Sequence, residues 1–212
     1  MTSPAKAQRR KAVLQNLTSS LRLCVFAGII LFSALPLNAQ TPTQQPDREQ
    51  LLNGLRLLFW LKPGSPEVIL KLRINSGAAF DLSGKSGQMA LLGDLLFPDP
   101  ATVDYFTDEM GGKLDVRVTY DSTTITMVGK ADQLEHIVEV LRNALVATQF
   151  TPEVVTRMRD ARIKLLRDTT IAPAEVADRA IAARLYGDFP YGRPAAGSPE
   201  DVARLDRADL MQ

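Results

Sequence analysis

The chain has 212 residues with 25 basic and 24 acidic side chains, and it contains one histidine and one cysteine. This composition excludes a two-histidine zinc motif, a disulfide within the chain and a cysteine-rich metal site. The balanced charge gives no sign of a basic face, so no nucleic-acid partner is expected.

The first 39 residues have the organisation of a secretory signal peptide. Five basic and no acidic residues are followed by an apolar run over residues 23–37, and Ala39 supplies the small residue of a cleavage site. The 15-residue run is shorter than the roughly 20 residues that span a bilayer, which favours cleavage over a membrane anchor. We expect a periplasmic or secreted protein. Without the leader and its Cys24, 20 basic and 24 acidic residues remain, a net charge of −4.

A polar linker is expected over residues 40–49, followed by one domain over residues 50–212. The domain opens with an apolar segment, residues 55–61, which predicts a buried strand. In residues 68–74, apolar and polar positions alternate, which predicts a half-buried strand. Apolar residues at helical spacing then predict a helix within residues 87–97.

Helices and strands continue to the end of the sequence. Pro152 follows a capping threonine, which is typical of a helix start. His136 lies beside the apolar stripe of its helix, so we interpret it as a surface histidine rather than a ligand. In chain order, these elements are a helix over residues 101–110, strands over 114–120 and 123–128, helices over 131–147, 151–167 and 173–185, and two short helices starting at 199 and 206.

Residues 87–97 read Gly-Gln-Met-Ala-Leu-Leu-Gly-Asp-Leu-Leu-Phe. This segment resembles the zinc-site helix of the pitrilysin/insulinase family of metallopeptidases, which runs Gly-x-x-His-x-x-Glu-His-x-Leu-Phe. The glycine, leucine and phenylalanine of that pattern are present. Ala90 and Asp94 stand where the two histidines belong, and Gly93 stands in place of the catalytic glutamate. A glycine inside a helix costs about 1 kcal/mol relative to alanine, so Gly93 indicates close packing.

Other segments resemble the same family in the same order. They include a Met-Gly-Gly turn at residues 110–112 and a Tyr-Gly-x-x-Pro-Tyr-Gly-Arg-Pro segment at residues 186–194, where Phe189 replaces a common histidine. The family places a third metal ligand, a glutamate, on the helix over residues 151–167. Alignment puts Lys164 at that position, within one or two residues, and residues 158–167 contain no glutamate.

The resemblance implies an α+β fold, a mostly antiparallel sheet with helices packed on one face. It also implies the first half of a larger family unit. Zinc is the cofactor of active members, in which the glutamate acts as general base on metal-bound water. With Ala90, Gly93, Asp94 and Lys164 at the motif positions, no cofactor and no catalytic residue are expected here.

Three functional hypotheses remain open. The first is a non-catalytic peptidase homologue that pairs with an active family subunit, or with a missing C-terminal half, to form a peptide-processing chamber. The second is an active zinc metalloendopeptidase with an atypical site built from carboxylates such as Asp94, Asp81 and Asp108. The third is a structural remnant without its second half. The sequence identifies neither the substrate nor the partner.

Overall fold

The computed structural model describes residues 45–146 and 150–211, and the chain divides into two compact units, Met1–Leu61 and Lys62–Gln212. The predicted signal peptide lies outside the described residues. Among the helices that are described, none combines the length and the apolar character needed to cross a membrane.

The described part of the first unit is a β-hairpin. Strands β1 (Asp47–Gln50) and β2 (Arg56–Phe59) pair antiparallel with Asp47 opposite Phe59, and β1 begins within the segment that the sequence assigns to a linker. The side chains of β2 are largely exposed, with Leu58 at 68%. The described strands of this unit therefore do not show the buried strand that the sequence predicts, because two paired strands by themselves form no second layer over their apolar side chains.

The second unit contains a three-stranded antiparallel sheet. Strands β3 (Glu67–Ile74), β4 (Lys113–Val118) and β5 (Thr123–Lys130) are arranged in the order β3-β5-β4. Ile125 and Met127 point from the central strand into the core and are fully buried. The half-buried strand predicted near residue 68 is confirmed by the alternating exposure of β3.

Six α-helices in the described residues accompany this sheet, and four of them begin with a proline that follows a residue of extended conformation. Asp99, Thr151 and Ser198 accept hydrogen bonds from backbone N–H groups in the first turns that they cap. The helices are α1 (Gln88–Leu95), α2 (Pro100–Asp108), α3 (Leu134–Val146), α4 (Pro152–Asp168), α5 (Pro173–Tyr186) and α6 (Pro199–Val202).

Two hydrophobic clusters hold these elements together. In the first cluster, the sheet packs against α2 and α3 through Phe106, Met110, Ile125, Met127 and Ile137. In the second, α1 packs against α4, α6 and the segment that follows α6, through Leu91, Leu95, Val155, Val202, Leu205 and Leu210. The α+β fold that the resemblance implies is confirmed, and α1 is the helix that the second cluster surrounds.

A pair of glycines fixes where α1 begins. Gly87 and Gly197 both have positive φ, +95° and +84°, and their backbones touch. A Cβ on Gly197 would lie 2.6 Å from the carbonyl oxygen of Ser86 and 2.7 Å from the Cα of Gly87. Ser86 adds a hydrogen bond from its Oγ to the carbonyl of Pro194, 3.0 Å away. Glycine is therefore required at this crossing both for conformation and for space.

Gly197→Ala is expected to destabilise the fold by about 2–4 kcal/mol, because the added methyl group meets backbone atoms and the residue stays in the left-handed region. Gly84→Ala is the matched control. Gly84 also has positive φ, +74°, but nothing lies within 4 Å of the added Cβ. Its expected cost is the conformational part alone, about 1–2 kcal/mol. Urea unfolding of both variants measures the difference, and equal losses would contradict the contact described here.

Candidate functional site

The amino end of α1 is capped by a carboxylate from the segment that precedes the helix. Asp81 is 6% exposed and accepts hydrogen bonds from the backbone N–H groups of Gly87 (2.7 Å) and Met89 (2.8 Å). Burial raises the pKa of the Asp81 carboxyl above its ordinary value, against the lowering effect of those N–H groups and of the Arg193 guanidinium. Asp81 thus stabilises the amino end of α1, where a negative charge is favourable.

A second buried carboxylate ties α1 to the last described turn, Asp209–Met211. The Asp209 carboxylate is paired with Lys85, and its backbone carbonyl accepts a hydrogen bond of 2.6 Å from the Gln88 side chain. The hydrogen bond from Lys85, together with the one from the backbone N–H of Asp206, lowers the pKa of Asp209. Residues more than 120 positions apart in the chain therefore fix the start of this helix.

The first two motif positions on α1 are packed rather than open. Ala90 is 3% exposed, and Gly93 is buried against β4. A Cβ built on Gly93 would lie 3.1 Å from Val118 Cγ2 and 3.4 Å from Val116 Cγ1. A glutamate at this position would therefore have to displace the valine methyl groups. The interpretation of Gly93 as a close-packing residue agrees with these distances.

The third motif position carries an ion pair. Arg162, on α4, donates from Nε to Asp94 Oδ2 at 2.5 Å and from Nη2 to Asp94 Oδ1 at 2.7 Å. The same Nη2 donates to the backbone carbonyl of Ala90 at 3.2 Å. The Arg162 side chain is 13% exposed and the Asp94 side chain is 30% exposed. A forked guanidinium–carboxylate contact of this kind is among the stronger ion pairs that proteins form.

Lys164 takes no part in this ion pair between α4 and α1. It is exposed on α4, whereas Arg162, two residues earlier, contacts both Ala90 and Asp94. The sequence pattern assigns the third-ligand position to Lys164 within one or two residues. In the structure, Arg162 is the residue of α4 that faces Ala90 and Asp94. Sequence reasoning missed it because α4 carries several basic residues, and their spacing alone does not say which one meets α1.

The donor set does not suit zinc. A catalytic zinc site needs three protein ligands from nitrogen, sulfur or carboxylate oxygen, with an open position for water. In residues 45–146 and 150–211, no group of three or more histidine, cysteine, aspartate or glutamate side chains is assembled in a way that could hold a metal ion. Asp81 caps α1, Asp94 binds Arg162, and Asp108 lies exposed at the end of α2. The structure does not assemble these three carboxylates into a site.

The histidine lies elsewhere on the surface. His136 is exposed on α3, and its ring meets the Tyr105 ring edge-to-face at a centroid distance of 5.7 Å. This position agrees with the interpretation of His136 as a surface residue.

Comparison with known proteins identifies the family. The sequence profile described as Insulinase (Peptidase family M16) matches residues 61–198, more than half of the chain. The chain belongs to this family. Among the curated relatives, an uncharacterized zinc protease of Mycobacterium tuberculosis is 24% identical over 171 residues, which cover 78% of this chain and 39% of that protein. The chain thus spans about two fifths of the length of such relatives.

Several solved structures share the fold. The peptidase M16 inactive domain from Pseudomonas fluorescens matches with a TM-score of 0.68 and 17% identity, over 79% of this chain and 42% of that one. The periplasmic protease PqqL from Escherichia coli also gives a TM-score of 0.68 with 18% identity, over 80% of this chain and 20% of that one. At these identities the likeness establishes the fold alone.

Arg162→Met is expected to destabilise the protein by about 1–3 kcal/mol, because it leaves Asp94 partly buried without its partner. Adding Asp94→Leu to the same chain should recover most of that loss, since no unpaired charge remains. Arg179→Met is the control. It removes an exposed ion pair with Glu175 within α5 and should cost no more than about 0.5 kcal/mol.

Chemical unfolding of the wild type, both single variants of the pair and the double variant gives the coupling energy directly. Additive losses in this cycle would show that Arg162 and Asp94 do not stabilise the packing of α1 on α4.

Proposed function

We propose that this chain is a non-catalytic homologue of the M16 zinc metallopeptidases. The observation that carries the proposal is the ion pair between Asp94 and Arg162. In the family pattern the position of Asp94 belongs to a metal-binding histidine, and here a guanidinium cation binds the residue that stands there. A fixed positive charge beside this helix opposes the binding of a divalent cation.

The remaining motif positions support the same proposal. Ala90 has no electron pair to donate to a metal, and Gly93 has no side chain to accept a proton from water. Hydrolysis by the family mechanism needs both a metal-bound water and a general base. To restore the family site, other side chains would have to replace two imidazole ligands and the general base. The described side chains around α1 instead form the hydrophobic cluster and the ion pair.

We further propose that the chain works in association with a homologous unit. It spans about two fifths of the length of a curated relative, and it covers 42% of the chain in two of the solved structures that it matches. Several large apolar side chains are exposed, among them Leu185 at 72% and Phe189 at 73%. Such surface is typical of an interaction site. The proposed partner is an active M16 subunit or a C-terminal half, with which the domain would enclose peptides.

Secretion to the periplasm is part of the proposal and rests on the leader in residues 1–39. The alternative of a structural remnant differs from the main proposal in what the chain binds. A remnant would bind neither a partner subunit nor a peptide ligand, and both kinds of binding can be measured.

The full chain is expected to hold no stoichiometric zinc and to cleave no unstructured peptide, because the donor set and the base are missing. Metal analysis of protein purified without chelator tests the first expectation, and a quenched-fluorescence peptide assay tests the second, with a known zinc peptidase run in parallel. One tightly held zinc per chain, together with cleavage that a zinc chelator blocks, would overturn the non-catalytic proposal.

The chain alone is expected to self-associate at micromolar concentration, because apolar surface that a homologous unit would cover is exposed. Sedimentation velocity measures this. Leu185→Ser combined with Phe189→Ser should shift the distribution towards monomer, whereas Glu200→Ser, which removes an exposed acidic side chain from α6, should not. A cooperatively folding wild-type monomer would refute the need for a partner.

A further inference from the structure

One face of the three-stranded sheet is turned towards solvent. Ile125 and Met127 of the central strand point into the core on one side, and alternate residues of β3 and β4 are exposed on the other side. We call this second side the open face of the sheet. Because directly paired residues point to the same side, the register of the strands shows which side chains share the open face.

Two neighbouring rows of the open face carry three cations and one carboxylate. In the first row, Arg73 of β3 and Arg117 of β4 lie on either side of Thr124 of β5. In the second row, Lys71 and Asp115 take the same two positions. Adjacent strands are about 4.8 Å apart, so the two arginines start roughly 10 Å from each other, and Lys71 is about 7 Å along the strand from Arg73. The three cationic side chains therefore arise from one small area.

These cations have no partner in the described part of the chain. The side chains of Lys71, Arg73, Lys113 and Arg117 are all exposed, and none of them forms an ion pair or a hydrogen bond with another described residue. Asp115, between the last two on β4, can balance one positive charge. Residues 40–212 contain 20 basic and 24 acidic side chains, so outside these five positions acidic residues outnumber basic ones by 23 to 16. The overall composition therefore does not reveal this local excess of positive charge.

An apolar side chain lies beside the cations. Ile69 is in the third row of the open face, opposite Val128, and is 66% exposed. It precedes Lys71 by two residues on the same strand. Long basic side chains can extend their charged ends past a neighbouring apolar group towards phosphate groups, while the apolar group enters the less polar layer below them. Basic residues around an exposed isoleucine therefore suit a surface that meets a lipid bilayer.

The arrangement fits a plane of anions better than a single anion. The cations are spread over the three rows of an exposed sheet surface, so one phosphate group would meet only one or two of them. A membrane rich in anionic lipid offers many phosphate groups in one plane, and it attracts each basic side chain near its surface. An acidic peptide would also meet these charges, but a run of carboxylates provides no apolar layer for Ile69.

We infer that the open face of the sheet binds reversibly to a membrane surface rich in anionic phospholipid. The basic side chains contact lipid phosphate groups, and Ile69 enters the headgroup layer. A small excess of positive charge with one apolar side chain gives weak, salt-sensitive binding and not a stable anchor. The inference does not depend on the proposed function, because the open face lies opposite the side of β4 on which Val116 and Val118 meet α1.

Co-sedimentation with vesicles tests the inference. Protein without residues 1–39 is used, because the basic and apolar leader would bind lipid by itself, and no described residue is removed. Vesicles of equal parts phosphatidylglycerol and phosphatidylcholine are expected to bind the protein about tenfold more strongly than vesicles of phosphatidylcholine alone in about 0.05 M salt. The difference should disappear in about 0.5 M salt. The full chain is measured in parallel, and the salt-sensitive part of its binding should behave in the same way.

Variants assign the binding to the open face. Arg73→Gln combined with Arg117→Gln should lower binding to the anionic vesicles about tenfold. Arg167→Gln combined with Arg184→Gln is the matched control, because it removes two exposed arginines from α4 and α5 and should change binding less than twofold. Ile69→Ser should lower binding about threefold, because the apolar contact is lost.

Equal binding to both kinds of vesicle, or no binding in low salt, would overturn the inference. Equal losses in the two double variants would show that net charge and not the open face is responsible, which would also overturn it. If the vesicles do not bind but a labelled polyglutamate peptide does, and Arg73→Gln with Arg117→Gln abolishes that binding, then the face serves an acidic protein partner and the assignment to lipid is wrong.

Discussion

Helix α1 is surrounded by β4, by α4 and by the turns that follow α6. The size and charge of its buried residues are therefore constrained by packing against those elements. Its apolar face is provided by Leu91 and Leu95, both fully buried. Gly93 allows the valines of β4 to approach, and Asp94 is stabilised by a cation because its carboxylate is partly removed from water. The positions that carry metal chemistry in the family pattern are therefore used here for packing and charge balance.

An arginine side chain and a zinc ion differ in what they require of the residues around them. Zinc would bring two positive charges and would require several deprotonated ligands around one point at about 2.0–2.3 Å. The Arg162 guanidinium brings one positive charge, stays protonated at any physiological pH and needs only acceptors in its plane. Asp94 and the Ala90 carbonyl provide those acceptors. The ion pair thus joins α1 to α4 without a metal.

The local pattern of the sequence predicts most elements of the fold. Alternation around residue 70 predicts β3, the Thr-Pro pair at residue 151 predicts the start of α4, and Gly111 and Gly112 predict the end of α2 to within about two residues. The exposure of β2 could not be predicted, because an apolar run shows that a strand can be buried but does not provide the layer that buries it.

The candidate site is predicted less completely, since its important contacts join distant parts of the chain. From the sequence alone we predict that Ala90 and Gly93 stand at motif positions where they supply neither a metal ligand nor a general base. It does not show that Asp81 caps α1, because no local capping pattern connects it to Gly87, six residues later. Nor does it distinguish Arg162 from Lys164, which differ by two positions on one helix and face different surroundings.

The central claim is that Arg162 occupies the place from which a third ligand would complete a metal site on α1. Zinc titration by calorimetry of two engineered chains tests it most directly. Both carry Ala90→His and Asp94→His; one adds Arg162→Glu and the other adds Lys164→Glu. The account predicts tight, stoichiometric zinc binding by the Arg162→Glu chain and binding at least tenfold weaker by the Lys164→Glu chain, since its glutamate faces solvent and the arginine remains. Equal affinities, or tighter binding by the Lys164→Glu chain, would contradict it.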